Sequence, residues 1–232
     1  MNGVSNIVLV HGAWADGSSW SRVIPLLEAE GLNVMAVQLP LTSLDDDTAA
    51  VRRAIALEDG PILLVGHSYG GVVITEAGTD PKVTGLVYVA AFAPDVGESA
   101  GSLLGTVPPA PLASEGRPDA NGFVKLTRVG VLESFAQDLP EIEKEVLFAA
   151  QAPTSVKSLG GVVSSAAWKA KPSWYIAATE DRAIPPDLAR TMAERIGART
   201  VTIGASHVVM LSHAREVAAQ IIDAAGRQQP SH

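Results

Sequence analysis

Residues 62–71 read Ile-Leu-Leu-Val-Gly-His-Ser-Tyr-Gly-Gly, an apolar strand that runs straight into a glycine-flanked serine and on into the apolar stretch Val72–Ile74. So sharp a strand-to-helix turn forces Ser68 into strained backbone and pushes its hydroxyl into the open. A hydroxyl is a poor nucleophile alone; it needs a base within reach and N–H donors for the oxyanion it creates. Gly66 and Gly70 leave room for both, and the helix N-terminus adds partial positive charge below. Ser68 is the expected nucleophile. A second Gly-x-Ser-x-Gly lies at Gly97–Gly101. That copy follows Pro94-Asp95 instead of a strand and leads into Gly- and Pro-containing chain instead of a helix, so it fails the same test.

Working outward, short β-branched apolar runs recur at Ile7–Val10, Leu32–Val37, Val83–Ala90, Ser173–Ala177 and Arg199–Ile203. Runs this short and continuous fit strands buried on both faces of a parallel sheet. Helical patterns alternate with them at Ser19–Glu30, Asp45–Leu57, Ser68–Ala77, Pro186–Ile196 and Ser212–Ala225. Asp45 to Asp47 suit a helix N-terminus. The alternation predicts an α/β fold, a doubly wound and mostly parallel sheet of about six strands.

The rhythm breaks over 95–171. Residues 97–122 are rich in Gly, Pro, Ser and Ala, and helices are expected around Val131–Gln137 and Glu141–Gln151, the second just after Pro140. One crossover helix would have sufficed. The segment therefore reads as a mostly helical cap, inserted over the carboxyl edge of the sheet in a single domain spanning 1–232. Its Phe123, Phe135, Phe148 and Trp168 are candidates for an apolar substrate pocket, with a plain core role as the alternative for each. Arg227–His232 reads as a frayed tail.

A serine on such a turn takes its acid and then its histidine from loops after later strands. Of five histidines, His207 alone sits in such a loop, after Arg199–Ile203 and Gly204-Ala205, and is the expected base. The loop after Ser173–Ala177 reads Thr-Glu-Asp-Arg-Ala-Ile-Pro over 179–185. Asp181 is the expected acid, with Glu180 its rival and pairing to Arg182 the plain alternative for either. The carboxylate would accept the Nδ1–H of His207 and hold its tautomer. The backbone N–H groups of Ala13 and Tyr69 are the expected oxyanion donors, and Gly12 permits close approach. Trp14 is a pocket wall or a core residue. His67 is expected to pack on the far side of the turn, His213 to be exposed or to cap a helix, and His232 to belong to the tail. His11 and Asp45–Asp47 lack the companions a metal site needs, so no metal or other cofactor is expected.

Composition agrees. The chain has 232 residues, 47% hydrophobic and 18% charged, with no cysteine and a net charge of −8. Such apolarity with sparse charge excludes a disordered or fibrous chain. The missing cysteines remove disulfides, thiolate nucleophiles and cysteine-held metals together. An acidic chain lacks the basic face that nucleic acid needs, so no such partner is expected. The first hundred residues hold 4 of the 17 Lys/Arg and 12 of the 25 Asp/Glu, so the field around Ser68 favours an uncharged substrate over an anionic one. The start lacks a basic segment before its apolar run, and no stretch nears the ~18 apolar residues of a membrane span. A soluble cytoplasmic protein with no membrane partner, monomer or homodimer, is the expectation.

Four stretches carry a family resemblance: Leu9–Trp14, Gly66–Gly71, Ala170–Ile176 with Thr179–Pro186, and Ala205–His213. On these the chain resembles the alpha/beta hydrolase superfamily, and within it the small capped branch of plant methylesterases, hydroxynitrile lyases and bacterial esterases. The resemblance spans nearly the whole chain, less the superfamily's first two strands. It implies a triad of Ser68, Asp181 and His207 with an oxyanion hole at the Ala13 and Tyr69 amides, in agreement with order and spacing. It further implies a cofactor-free serine esterase that cleaves small carboxylic esters through an acyl-enzyme. The lyases of this branch carry a lysine directly after the catalytic histidine and a threonine in the loop after the first strand. Here Val208 and Gly12-Ala13-Trp14 stand in those places, so released cyanide would meet no cation. Lyase chemistry and a ligand-binding receptor built on the fold are the alternatives.

Overall fold

The computed structural model describes residues 4–226, and the tail read over Arg227–His232 lies outside them. From the start the chain runs through β1 (Asn6–Val10), a 3-10 turn at Gly17–Trp20, α1 (Ile24–Ala29), β2 (Asn33–Val37), α2 (Leu44–Leu57), β3 (Ile62–His67), α3 (Gly70–Ala77) and β4 (Val83–Val89). It then leaves the sheet for α4 (Ala100–Leu104), β5 (Gly116–Pro118), β6 (Phe123–Leu126), a π-helical turn at Gly130–Phe135, α5 (Glu141–Ala150), β7 (Thr154–Ser155) and α6 (Val156–Leu159). It returns as β8 (Ser173–Ala178), α7 (Pro186–Arg195), β9 (Arg199–Ile203), α8 (Val209–Ser212) and α9 (Ala214–Ala224).

The main sheet is parallel throughout, ordered β2-β1-β3-β4-β8-β9. Its central strands are buried on both faces, as continuous apolar runs require. Each of Ile62, Leu63, Leu64 and Val65 is at most 1% exposed, which stabilises the fold by about 1.5–3 kcal/mol per side chain. The edge strands correct the expectation. β2 and β9 are only partly buried, because each has a neighbour on one side alone. From β1 the chain winds outward to β2, and from β3 the other way to β4, so a switch point lies between the carboxyl ends of β1 and β3. Open α/β sheets bind their ligands there. Pairing of Val10 with Gly66 sets the loop after β1 beside Ser68.

Two expected helices are divided. Ser19–Glu30 breaks into the 3-10 turn and α1, because Pro25 starts a helix and cannot continue one. Ser212–Ala225 breaks at His213 into α8 and α9; His213 is half-buried there and makes no side-chain cap. α3 begins two residues after Ser68, since Ser68 holds a φ of 53° that no helix accepts. α2 starts as its acidic triplet suggests, with Ser43 capping the amide of Asp46.

The segment between β4 and β8 contains a feature the sequence reading did not anticipate, the antiparallel sheet β5-β6-β7. Its strands have three, four and two residues, too short to register as a pattern. The helix expected at Val131–Gln137 is the π-helical turn. The two ends of the segment are tied together: Gly97 N donates to Val163 O (3.0 Å), Val163 N to Glu98 O (2.9 Å) and Trp168 Nε1 to Pro94 O (2.8 Å). Among the described residues no helix is long and apolar enough to cross a membrane.

Candidate active site

Ser68 ends the approach of β3 in left-handed backbone, a conformation that costs a side-chain-bearing residue about 1–3 kcal/mol. Crowding holds it there. A Cβ on Gly70 would lie 2.5 Å from Val10 O, and one on Gly12 would lie 2.7 Å from the Ser68 Cβ, so both positions must be glycine. The Ser68 amide donates to Val89 O (3.3 Å), and its carbonyl accepts from Gly71 N (3.0 Å) and Phe92 N (3.1 Å). The side chain is thereby aimed into a cavity of about 440 Å³ that Ala13, Trp14, Tyr69 and His207 also line.

His207 and Asp181 meet behind that cavity wall. His207 Nδ1 lies 2.8 Å from Asp181 Oδ2, and both side chains are almost wholly buried. The other carboxylate oxygen accepts the amides of Ala183 (2.7 Å) and Ile184 (2.9 Å). A carboxylate only accepts, so Nδ1 carries the proton and Nε2 is left bare. Glu180 is exposed and the Arg182 guanidinium donates to Glu133 O, so the partner of His207 is Asp181 and not its rival, and the alternative pairing with Arg182 is not formed.

The loop after β1 is ordered by His11. Leu39 N donates to His11 Nε2 (2.9 Å), so the proton sits on Nδ1, which donates to Gly12 O (2.8 Å). Burial holds the His11 pKa below its ordinary value and keeps the ring neutral. Gly12 C=O and Ala13 N–H share one planar peptide, so this bond also sets the direction of the Ala13 N–H. Next along, Trp14 holds a φ of 59°. Its amide donates to Thr154 Oγ1 and its indole Nε1 to Val124 O, both at 2.9 Å.

Tyr69 contributes a backbone N–H at the cavity and a side chain turned away from it. Its hydroxyl donates to Asp47 Oδ2 (2.7 Å), which also accepts from Ser158 Oγ (3.0 Å), while Asp47 Oδ1 accepts the Leu41 amide (2.7 Å). Burial pushes the Asp47 carboxyl up in spite of these donors, and drives the Tyr69 phenol far up as well, with the Asp47 charge adding to the effect. The sequence reading took Asp47 for a helix-start acid and missed this network. An acid that survives complete burial was the signal it lacked.

His67 packs, as expected, and it does so against the histidine loop: its Nε2–H donates to His207 O (2.9 Å), and the two rings are 4.8 Å apart. As the last residue of β3, its side chain falls on the face that the His207 loop crosses. Burial first, and then the neighbouring His207, hold its pKa well below the ordinary value. Ser99, in the second Gly-x-Ser-x-Gly, has a short helix after it, contrary to expectation. Its hydroxyl caps that helix at Ser102 N (3.0 Å), and no strand precedes it.

Of the aromatic pocket candidates, Trp14 lines the cavity. Phe135 stands behind the lining, its ring 5.2 Å from His207 and 6.4 Å from Trp14. Phe123, Phe148 and Trp168 are corrected. Strand alternation on β6 sends Val124 and Leu126 toward the cavity and Phe123 away, while Phe148 sits on the outward helix α5; both line a separate outer cavity of about 520 Å³. Trp168 is held by Pro94 O at the base of the inserted segment. The walls near Ser68 are instead largely aliphatic, including Leu104, Leu112, Val124, Leu126, Leu159 and Ile184, and among the described residues no Asp, Glu, Lys or Arg lines them.

The inserted segment also grips the loops around the cavity. Leu112 N donates to Arg182 O (3.0 Å), Gln137 Nε2 to Glu180 O (2.7 Å), and Ser206 N to Asp138 Oδ2 (2.9 Å), alongside the Thr154 and Ser158 contacts.

The profile of the alpha/beta hydrolase family matches residues 7–220. A carbendazim hydrolyzing esterase of Nocardioides sp. (strain SG-4G) is 34% identical over 44% of this chain and 48% of that protein, so the match spans about half of that relative. Methylesterase 7 of Arabidopsis thaliana is 25% identical over 97% of this chain and 98% of its own. The solved structure of a pyrethroid hydrolase from Sphingobium faniae JZ-2 superposes with a TM-score of 0.83 at 25% identity, covering 96% of this chain and 98% of that one.

Proposed function

The chain belongs to the alpha/beta hydrolase family, and on that premise we propose that it hydrolyses small, uncharged carboxylic esters with Ser68 as nucleophile. The observation that carries the reading is the buried 2.8 Å hydrogen bond from His207 to Asp181, made by the one histidine among the described residues that shares a cavity with Ser68.

Ser68 Oγ attacks the ester carbonyl while the bare Nε2 of His207 takes its proton. Asp181 holds the ring in that tautomer and stabilises the imidazolium. The Ala13 and Tyr69 N–H groups receive the tetrahedral oxyanion, and the partial positive charge at the start of α3 adds to them. Collapse expels the alcohol, protonated by His207. Water then gives its proton to His207 and attacks the acyl carbon; the bond to Ser68 Oγ breaks, Ser68 takes the proton back from His207, and the acid is released.

The printed names of the relatives, an esterase, a methylesterase and a pyrethroid hydrolase, support ester cleavage. The uncharged lining supports an uncharged substrate. In this reading residues 95–171 are the cap, and its aliphatic wall receives the acyl or alcohol group. Val208, buried directly after His207, offers no cation to cyanide, which favours hydrolysis over the lyase.

The test is turnover of p-nitrophenyl esters of increasing chain length and of methyl esters of aromatic acids, by wild type and Ser68→Ala. Wild-type turnover that Ser68→Ala abolishes is expected, with one fluorophosphonate adduct on the wild type by intact mass. Turnover that survives in Ser68→Ala, or a wild type that takes no adduct, overturns the reading.

A further inference from the structure

Two peptide planes flank Ala13, and they are held by different parts of the molecule. The first, carrying the Ala13 N–H, is fixed within its own loop by His11 Nδ1–H on Gly12 O (2.8 Å). The second, carrying the Trp14 N–H, is fixed from outside by Thr154 Oγ1 (2.9 Å), a residue 140 positions away on β7. Left-handed backbone at Trp14 is disfavoured for a residue with a side chain, so this second plane has no local preference that would keep it in place.

Thr154 is itself immobilised. It is 0% exposed, its neighbour Ser155 donates its amide to Leu41 O (2.9 Å), and it pairs across the small sheet with Val124. Val124 O in turn accepts the Trp14 indole N–H (2.9 Å). One strand pair therefore grips the backbone and the side chain of the same residue. We propose that Thr154 is a positioning residue for the reaction: its hydroxyl holds the Trp14 amide, and with it the far side of Ala13, so that the Ala13 N–H whose direction His11 sets stays in place against the oxyanion. The proposal rests on the hydrolase reading above and assigns the cap a part in the rate as well as in the pocket.

An oxyanion forms only in the transition state, so a misaimed donor lowers kcat and leaves ground-state binding alone. Removing such a donor outright costs about 10²–10³ in kcat, and misaiming one costs less, about 10- to 100-fold. Thr154→Val keeps the shape and removes the acceptor; Thr154→Ser keeps the acceptor. For Thr154→Val we expect that kcat loss, a KM within about threefold, and a trifluoromethyl ketone affinity weakened by the factor seen in kcat/KM. Thr154→Ser is expected within about threefold of wild type. Melting by circular dichroism checks folding, and Thr154→Ala replaces Thr154→Val if the valine variant does not fold.

A Thr154→Val enzyme with unchanged kcat overturns the proposal. So does a kcat loss without weaker ketone binding, or a serine variant as impaired as the valine one. A wild type that cleaves no ester overturns the hydrolase reading and this proposal together, whereas an active wild type beside an unimpaired Thr154→Val overturns this proposal alone.

Discussion

The two walls of the cavity are built on opposite plans. Below, the turn at Ser68 sits among central strands, so crowded that a single added Cβ at Gly70 would come within 2.5 Å of Val10 O. Above, the segment proposed as the cap has strands of three, four and two residues, and its helix α5 buries none of its ten residues fully. Packing sets the lower wall; a few hydrogen bonds with identifiable ends set the upper one. The difference separates chemistry from choice of substrate. Changes below should alter the rate for every ester, and changes to the aliphatic wall above should alter which ester is taken.

The largest expected effects break the lower wall. Ser68→Ala should lower turnover by about 10⁶ and Asp181→Asn by about 10⁴, uniformly across a chain-length series. Glu180→Gln, at an exposed position, should stay near wild type; steady-state kinetics that reverse the two acids would sink the assignment. Asp47→Ala tests a buried acid that joins both walls. It strands the Tyr69 hydroxyl and Ser158, and should cost about 1–3 kcal/mol of unfolding free energy in urea titrations, with little change in chain-length preference.

Acid should weaken the lower wall first, because the cap contains no histidine. His67 and His11 are held neutral by burial, below their ordinary pKa, while in the unfolded chain they protonate near pH 6.5. Stability is thus full above that value and falls below it, by up to about 1.4 kcal/mol per pH unit for each ring. Urea midpoints at pH 7.5 and 5.5 check this, and equal midpoints would refute it. Asp47, pushed up by burial, acts with the opposite sign at lower pH.

Smaller effects sharpen the upper boundary. Leu112→Trp intrudes on the cavity and should cut kcat/KM for long acyl chains by about tenfold while sparing acetate esters. Phe148→Ala, in the outer cavity, should change neither. A chain-length shift in the Phe148 variant would place the pocket on the wrong side of the small sheet.

The same contrast governs what could be read from sequence. The central strands of the main sheet announce themselves because burial on both faces leaves a nearly unbroken apolar run, and Ser68 because the turn demands its glycines. Asp181 and His207 follow from their places after strands. The cap yields less. Choosing its large aromatics picked Phe123, whereas alternation over only four residues turns Val124 and Leu126 inward. Thr154 carries no local signal at all, since its partner Trp14 comes near only once the chain has folded. The break in the first helix was legible at Pro25 and was passed over.

The cap's grip on the loops around the cavity has a consequence for inheritance. At the amides of Trp14 and Ser206 and the carbonyls of Glu180 and Arg182, the core presents backbone, which every residue type supplies alike. Mutation at those four positions therefore seldom removes a partner, in contrast to Trp14 Nε1, the Arg182 guanidinium and the Asp47 carboxylate, core side chains that meet Val124 O, Glu133 O and Ser158 Oγ. On the cap side the side chains that reach these backbone groups include Thr154, Gln137 and Asp138, and these three are absent from the cavity lining. A lineage can thus exchange Leu112, Val124, Leu126 or Leu159 for other apolar residues, and drift from one ester to another, while the groups that hold the loops descend unchanged.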